Sequence, residues 1–192
     1  RQGRALLSSR PLFTLGECAT ISFGVVIAHH SVPLTIALSS LWEAEEEAKQ
    51  HESPGADGKS KQKDAVQVRV LYGTGNTLAA TSKFDTLRQW QNAIAMPGVE
   101  HPIFEQVSAL WEQHPAPTRG AIAPWTQAFT QRRDAFEGDD AQRAAFQQRL
   151  QGFVETLWDA TPLENFDREL KAWFKLAAFV LRNRTIRIGG EA

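Results

Sequence analysis

The sequence has a single cysteine, Cys18, among 192 residues. One cysteine cannot form a disulfide within the chain, and it provides no cluster of thiolates for zinc. Both kinds of stabilising site are therefore excluded. A lack of disulfides is typical of proteins in a reducing compartment, and we predict a cytoplasmic location.

Long hydrophobic runs and an excess of charge of one sign are also missing. No apolar run reaches the roughly 18 residues that a membrane-spanning helix needs, so we expect no membrane partner. The formal net charge is -1, with 42% hydrophobic and 22% charged residues, a balance typical of globular proteins rather than disordered or broadly basic ones. Any contact with nucleic acid is expected to come from a local patch.

A strand and a helix are predicted near the N-terminus. Residues 19–28 are rich in β-branched side chains, with Gly24 in the middle, and predict a buried strand. Pro33 suits the first turn of a helix, and Ser31 is a candidate cap. Apolar residues at helical spacing extend the predicted helix to about Gln50. They predict that the helix packs on the strand. These residues are Leu34, Ala37, Leu38, Leu41, Ala44 and Ala48.

A loop and a hairpin are predicted next. Residues 53–64 are polar and lack periodicity, so we expect a loop there. Residues 65–72 alternate between apolar and polar side chains and predict a half-buried strand. The turn at Gly73-Thr-Gly-Asn76 and a weaker strand over residues 77–84 complete the predicted hairpin.

From about Asp85 the pattern becomes helical throughout. Breakers such as Pro97-Gly98 and Pro162 separate segments with apolar residues at helical spacing, which predict a bundle of four or five helices. The segments are residues 85–95, 101–114, 118–136, 139–159 and 163–184. Aromatic residues at such spacing usually pack in a core, so the six tryptophans are expected to be buried.

Two adjacent histidines, His29 and His30, follow the first predicted strand. Neighbouring strand residues point to opposite faces, so a shared metal site would require the chain to leave strand geometry. The other histidines show no metal-binding spacing such as His-Glu-x-x-His. We predict no metal site; a catalytic base, the edge of a nucleotide pocket and turn packing remain as alternatives.

Two charged clusters also have alternative interpretations. Asp139 and Asp140 resemble a paired-carboxylate metal site, but they directly precede a predicted helix, which favours a role as N-cap and first-turn acid. Arg182, Arg184 and Arg187 form a basic patch near the C-terminus. This patch is suited to phosphates or an acidic partner, and a solvated tail is the alternative.

The order of residues from Thr20 to Lys49 resembles the second palm domain of the large subunit of type III CRISPR effector complexes of the Cmr type. The matching run is ATISFGVVIAHHSVPLTIAL at residues 19–38, followed by AEEEAK at residues 44–49. In that family, a strand of the form Thr-Ile-Ser-x-Gly-x-x-Ile-Ala-His leads into Pro-Leu and a helix that ends in Ala-Lys. Residues 65–72 are similar to the last palm strand, and the Trp-rich segment from Asp85 resembles the C-terminal helical domain.

The resemblance implies an α+β fold with two parts. Residues 1–84 would form the end of a ferredoxin-like palm related to GGDEF-type cyclases, and residues 85–192 a helical bundle. The parent subunit would use ATP and Mg²⁺ to make cyclic oligoadenylates. It would work in antiviral defence with other type III effector subunits, CRISPR RNA and target RNA.

The family's metal-binding Gly-Gly-Asp-Asp motif does not occur in this sequence. Without those carboxylates, nucleotidyl transfer loses its main charge stabilisation. We therefore expect a truncated or split subunit that is inactive alone. The alternative is a non-catalytic scaffold that contacts a partner subunit or RNA; a separate GGDEF-type cyclase is disfavoured because its signature is missing.

The resemblance also implies residues that face a nucleotide. Lys49 matches the lysine that the palm helix presents to the phosphates, although a lysine favoured by the dipole at a helix C-terminus is the alternative. Ser22 and Gly24 would lie on the strand that lines the base. His29 and His30 would lie where that strand ends.

Overall fold

A computed structural model describes residues 20–54, 60–132 and 139–184, together with the backbone of residues 4–7 and 10–13. The two N-terminal segments, β1 (Arg4–Leu7) and β2 (Arg10–Phe13), pair antiparallel in a sheet of their own. The next elements are β3 (Phe23–Ala28), α1 (Leu34–Gln50), β4 (Ser53–Pro54), β5 (Ser60–Lys61), β6 (Ala65–Leu71) and β7 (Thr77–Lys83).

The main sheet has the strand order β3-β6-β7. Strands β3 and β6 are parallel and are connected by α1, and β7 pairs antiparallel with β6. In a complete ferredoxin-like sheet, another strand lies between the parallel strands that a helix joins. Here β3 and β6 pair directly, so that intervening strand is missing from the described sheet, which shares with a partial palm its small mixed sheet and the helices that follow. The α+β class and the order strand, helix, strand, strand are confirmed.

Helix α1 agrees with the predicted limits to within one residue, but its predicted cap is wrong. The N-cap position is Pro33, and no side chain caps the helix. The hydroxyl of Ser31 instead lies 2.7 Å from Nδ1 of His29. Ser31 therefore stabilises the turn before the helix rather than the helix itself.

The predicted loop over residues 53–64 contains two short strands. Ser53 lies opposite Lys61 and Pro54 opposite Ser60, so β4 and β5 form an antiparallel pair. Both ends of this segment are thus held by backbone hydrogen bonds, and residues 55–59 lie outside the described part of the chain.

Four of the five predicted helical segments agree with the structure to within about two residues, whereas the segment predicted over residues 118–136 contains a shorter α-helix, and its residues 133–136 lie outside the described part of the chain. The helices are α2 (Phe84–Ile94), α3 (His101–Gln113), α4 (Ile122–Thr130), α5 (Asp140–Ala160) and α6 (Leu163–Asn183), with a short 3-10 turn at Arg119–Ala121. The predicted cap of α5 is confirmed, since the Asp139 carboxylate accepts a hydrogen bond from the Gln142 backbone at 2.7 Å. The Gln142 side chain accepts one from the Asp139 backbone at 3.1 Å, which completes a capping box.

The sheet and the bundle share one hydrophobic core. Val66, Val70 and Ala80 of the sheet belong to the same buried cluster as the bundle helices. The composition change at Asp85 therefore coincides with the start of α2, while the packing continues across it. Five of the six tryptophans pack in or against this core. Trp42 on α1 is the exception, with 67% of its surface exposed.

Helix α6 covers the β7 edge of the sheet at Thr81. The backbone N–H of Thr81 donates to the Glu169 carboxylate at 3.0 Å, and the Thr81 carbonyl accepts from the Trp173 indole N–H at 3.0 Å. These bonds satisfy backbone groups that would otherwise be open to another strand. Burial raises the pKa of Glu169, so the strand contact is held by a carboxyl group removed from bulk water.

Candidate functional site

Gly24 lies beneath α1. A Cβ atom at this position would be 2.6 Å from the backbone nitrogen of Glu45 and 2.8 Å from the carbonyl oxygen of Leu41. Such distances are too short for any side chain, so glycine allows the helix to approach the strand. Gly24, which we predict to lie on the strand that lines a nucleotide base, is covered by α1 on the side where a side chain would project.

Ser22 and Lys49 lie near the start of β3, because α1 runs back along the strand. The Ser22 hydroxyl is buried and has no hydrogen-bond partner among the described residues. The Lys49 ammonium is 3.0 Å from the Glu45 carboxylate, and both side chains are about half exposed. An exposed pair of this kind contributes little to stability.

His29 and His30 lie at the other end of β3. The backbone N–H of His29 donates to the carbonyl of Leu71 at 2.9 Å, and its ring packs against Gly73. The two imidazole rings are 4.1 Å apart between centroids. At roughly 3.3 Å per residue, these rings are about 20 Å from Ser22. The five predicted nucleotide-facing residues therefore divide into two groups at opposite ends of one strand.

The predicted basic patch is partly paired with acids. Arg182 forms an ion pair with Glu105, and Arg184 forms one with Glu100 across the groove between α6 and α3. Arg187 lies outside the described residues. In the described part of the patch, both arginines are therefore paired with glutamates.

Within residues 20–54, 60–132 and 139–184, no three His, Cys, Asp or Glu side chains come together in an arrangement that could hold a metal ion. The Asp139 side chain is engaged by the capping box instead.

An exposed apolar surface is the most distinctive feature of the sheet end of the molecule. Nine large hydrophobic side chains are exposed in the described part of the chain, and eight of them lie within residues 21–42. We call these eight the apolar surface: Ile21, Phe23, Val25, Ile27, Leu34, Ile36, Leu38 and Trp42. Exposed large apolar side chains concentrated in one stretch of a chain are typical of an interaction site.

The strand part of the apolar surface arises because the bundle covers β6 but not β3. Phe23, Val25 and Ile27 face the same side as the valines of β6 opposite them. Val66 and Val70 of β6 are 3% and 2% exposed, whereas the three β3 side chains are 40–47% exposed. The apolar face of the sheet thus extends one strand further than the helices that cover it.

Helix α1 contributes a second part of the surface. Leu34, Leu38 and Trp42 follow each other at four-residue spacing and form one stripe on the helix. The sequence predicted that this apolar side would pack on the strand. Only Ser40, Ala44 and Ala48 are buried, however, and Leu34 is 72% exposed. The apolar face of α1 is therefore wider than its contact with the sheet, a difference that periodicity alone does not reveal.

The outer edge of β3 carries unpaired backbone groups in the described part of the chain. The N–H of His29 points toward β6, and peptide groups alternate in direction along a strand. The N–H and C=O groups of Gly24, Val26 and Ala28 therefore point away from β6, toward the open edge. This edge differs from the β7 edge, which α6 covers at Thr81.

Lys83 stabilises the segment that follows α1. Its ammonium donates to the carbonyl oxygens of His51 at 2.9 Å and Lys61 at 3.1 Å, and also to that of Lys63. Lys63 and Asp64 have left-handed backbones, with φ of 62° and 55°, which is unfavourable outside glycine. The three bonds hold this strained turn in place, and burial lowers the pKa of Lys83.

His51 is expected to make stability depend on pH. Burial, reinforced by the nearby Lys83 ammonium, lowers the pKa of His51 from 6.5 to about 4. Between these values the unfolded chain binds a proton that the folded chain does not. The free energy of unfolding should therefore fall as the pH decreases from about 6.5 to about 4, by on the order of 3 kcal/mol.

Denaturant unfolding of the wild type and of His51→Asn at several pH values measures this contribution. Glu169 is present in both proteins and changes the free energy of unfolding in the opposite direction, because its raised pKa makes stability fall as the pH rises. The difference between the two curves isolates His51. Parallel curves between pH 6.5 and pH 4 would contradict the expected role.

None of the described helices is both long and apolar enough to cross a membrane. The chain matches no protein-family model and no curated protein.

Proposed function

We propose that the chain is a non-catalytic assembly module: the end of the second palm domain and the helical domain of a type III CRISPR effector large subunit. It would act in antiviral defence within a complex of effector subunits, CRISPR RNA and target RNA. The observation that carries the assembly role is the apolar surface beside the open edge of β3.

The order of elements supports the relation to a palm. Strands β3 and β6 lie in one sheet, α1 connects them, and a hairpin leads into the bundle. In the family that the sequence resembles, the Gly-Gly-Asp-Asp hairpin precedes the strand that corresponds to β3. A strand supplied by another chain or by another part of the parent subunit would pair with the free edge of β3.

The contrast between the two sheet edges supports an added strand. Proteins usually cover or interrupt an exposed strand edge because it pairs readily with other chains. Helix α6 does so at β7, whereas no described segment covers the edge of β3 beside Phe23, Val25 and Ile27. In β-augmentation, backbone bonds provide affinity and alternate side chains provide specificity.

The chemistry of the described residues favours assembly over catalysis by this chain. The sequence lacks the Gly-Gly-Asp-Asp motif, and the residues predicted to face a nucleotide lie at two ends of β3. Trp42, Leu38 and the β3 side chains instead provide exposed apolar area next to unpaired backbone groups. Aromatic anchors of this type often dominate binding energy at interfaces.

Charges on β3 should prevent assembly. The double variant Val25→Lys and Ile27→Lys places two ammonium groups on the exposed apolar face, where a partner would have to desolvate them. We expect at least about a tenfold loss of incorporation. The measurement is co-expression with the other type III subunits and a CRISPR RNA, followed by purification through a tag on another subunit.

Leu163→Lys is the matched control, because Leu163 is the one exposed large hydrophobic residue outside the apolar surface among the described residues and is 65% exposed. It should assemble like the wild type. Failure of the wild type to co-purify would contradict the type III assignment. Normal assembly of the double variant would retain that assignment but place the interface elsewhere.

A further inference from the structure

A polar cleft lies where the end of α1, strand β7 and the start of α6 meet. It has a volume of about 280 Å³, and four of the residues that line it are glutamates: Glu47, Glu52, Glu164 and Glu169. Two cations lie nearby: the Arg168 guanidinium is 3.1 Å from Glu169, and the Lys83 ammonium is 2.9 Å from the His51 carbonyl. We refer to this feature as the polar cleft; it is separate from the apolar surface and does not depend on the proposed function.

A buried hydroxyl in the polar cleft has no partner. Thr161 lines the cleft and is 1% exposed, and its Oγ1 makes no hydrogen bond to any described residue. A buried polar atom without a partner is unfavourable, and folded proteins rarely keep one without a reason. A ligand that donates a hydrogen bond would satisfy this oxygen.

His51 provides a second unsatisfied atom among the residues that line the cleft. Its Nδ1 is buried without a hydrogen-bond partner in the described part of the chain, and the residue lines the same cleft. The cleft therefore combines an orphaned hydroxyl, an orphaned imidazole nitrogen and several carboxylates. All of these atoms can accept a hydrogen bond from an N–H donor.

The charges around the polar cleft favour a cation. Four carboxylates line the cleft, against the Arg168 guanidinium and the Lys83 ammonium, which lies 2.9 Å from the His51 carbonyl. The C-terminal end of α1 adds negative potential, which Lys49 in its last turn partly offsets. The N-terminal end of α6 has the opposite polarity, but Glu164 lies in its first turn and offsets it. An anion would meet more repulsion than attraction in this arrangement.

The spacing of the acceptors favours an organic cation over a metal ion. In the described residues, no three His, Cys, Asp or Glu side chains approach each other closely enough to share a metal. Dispersed acceptors instead suit a guanidinium or alkylammonium group, whose N–H donors point in several directions. We infer that the polar cleft binds an organic cation with N–H donors, either a small free amine or an arginine or lysine side chain of a partner.

Calorimetric titration of the full chain tests the inference. The probes are agmatine for guanidinium, 1,4-diaminobutane for ammonium, and a short neutral peptide with one internal arginine for a partner side chain. We expect saturable binding of at least one probe. Binding of the small amines alone identifies a free ligand, and binding of the peptide alone identifies a partner.

Thr161→Val is the decisive variant, because it removes the hydroxyl and nearly keeps the shape. It should weaken binding about tenfold, as expected for a lost hydrogen bond to a charged group. Its thermal midpoint without ligand should not fall, since an unsatisfied buried oxygen has been removed. Thr86→Val is the matched control: Thr86 is also buried with an orphaned hydroxyl, but it lines a different cleft. It should bind like the wild type.

Glu164→Gln provides a test that does not alter the core, because Glu164 is exposed. It should weaken binding about threefold, as expected for one partly screened charge.

Absence of binding for all three probes would overturn the inference. Unchanged affinity of the Thr161→Val protein for the probes would also overturn it. So would equal affinity of the wild type for tetramethylammonium, which has no N–H donor. Binding of Mg²⁺ or inorganic phosphate that Thr161→Val weakens would show that the site takes a different ligand and would overturn it as well.

Discussion

Replacing Trp173 with alanine is expected to lower the free energy of unfolding by about 4–5 kcal/mol. Trp173 is fully buried, and its ring packs edge-on against Trp90 with centroids 5.1 Å apart. Removing a buried tryptophan costs about 3–5 kcal/mol. The variant also leaves the carbonyl of Thr81 without the indole donor that now lies 3.0 Å away. Circular dichroism during denaturant unfolding measures the change.

Trp42→Ala is the matched control for that experiment. Trp42 is 67% exposed, so its removal should change the free energy of unfolding by less than about 0.5 kcal/mol. The two tryptophans thus separate folding from assembly, because Trp42→Ala should reduce incorporation into the complex while leaving the fold intact. A Trp173→Ala protein within 1 kcal/mol of the wild type would contradict the packing described for α6 and β7.

Gly24→Ala is expected to lower the free energy of unfolding by about 2–3 kcal/mol. The added Cβ would meet backbone atoms of Glu45 and Leu41 at 2.6 Å and 2.8 Å. Backbone cannot move aside as a flexible side chain can, so α1 must shift away from β3, with the cost expected of overpacking. Denaturant unfolding monitored by circular dichroism measures the loss.

Gly120→Ala is the control for this substitution. A Cβ at Gly120 meets nothing within 4 Å, so stability should stay within about 0.5 kcal/mol or rise slightly. The Gly24 experiment also separates the two interpretations of that residue. If Gly24→Ala kept its stability but lost a measurable affinity for ATP, Gly24 would be a nucleotide contact rather than a packing position.

Local patterns predicted most of the elements. The alternation over residues 65–72 and the turn after it identified β6 and the hairpin, because strand periodicity and turn chemistry act over few residues. The Asp139 cap was predictable for the same reason, since a capping box involves atoms only three residues apart. The cap assigned to Ser31 was wrong because His29 offered its hydroxyl a competing partner.

The candidate site was less predictable because it depends on what covers each face. Periodicity shows that Leu34, Leu38 and Trp42 share a side of α1, but it does not show how far the sheet extends beneath them. The pairing of Arg182 with Glu105 was likewise hidden, since the two residues are 77 positions apart in the chain. Lys83 gave no sequence signal, because its partners are carbonyl groups far away in the chain. Thr161 gave none either, because its hydroxyl has no partner among the described residues.

By itself, the sequence determined the α+β class, the order of strands and helices, the capping of α5 and the absence of a Gly-Gly-Asp-Asp motif. These properties follow from short-range patterns and composition. Among the described residues, the tertiary structure decided that β3 keeps an open edge while α6 covers β7, that Trp42 is exposed while Trp173 is buried, and that a polar cleft forms beside Thr161. Such properties depend on contacts between residues far apart in the chain, where burial is decided by the neighbours that the fold supplies.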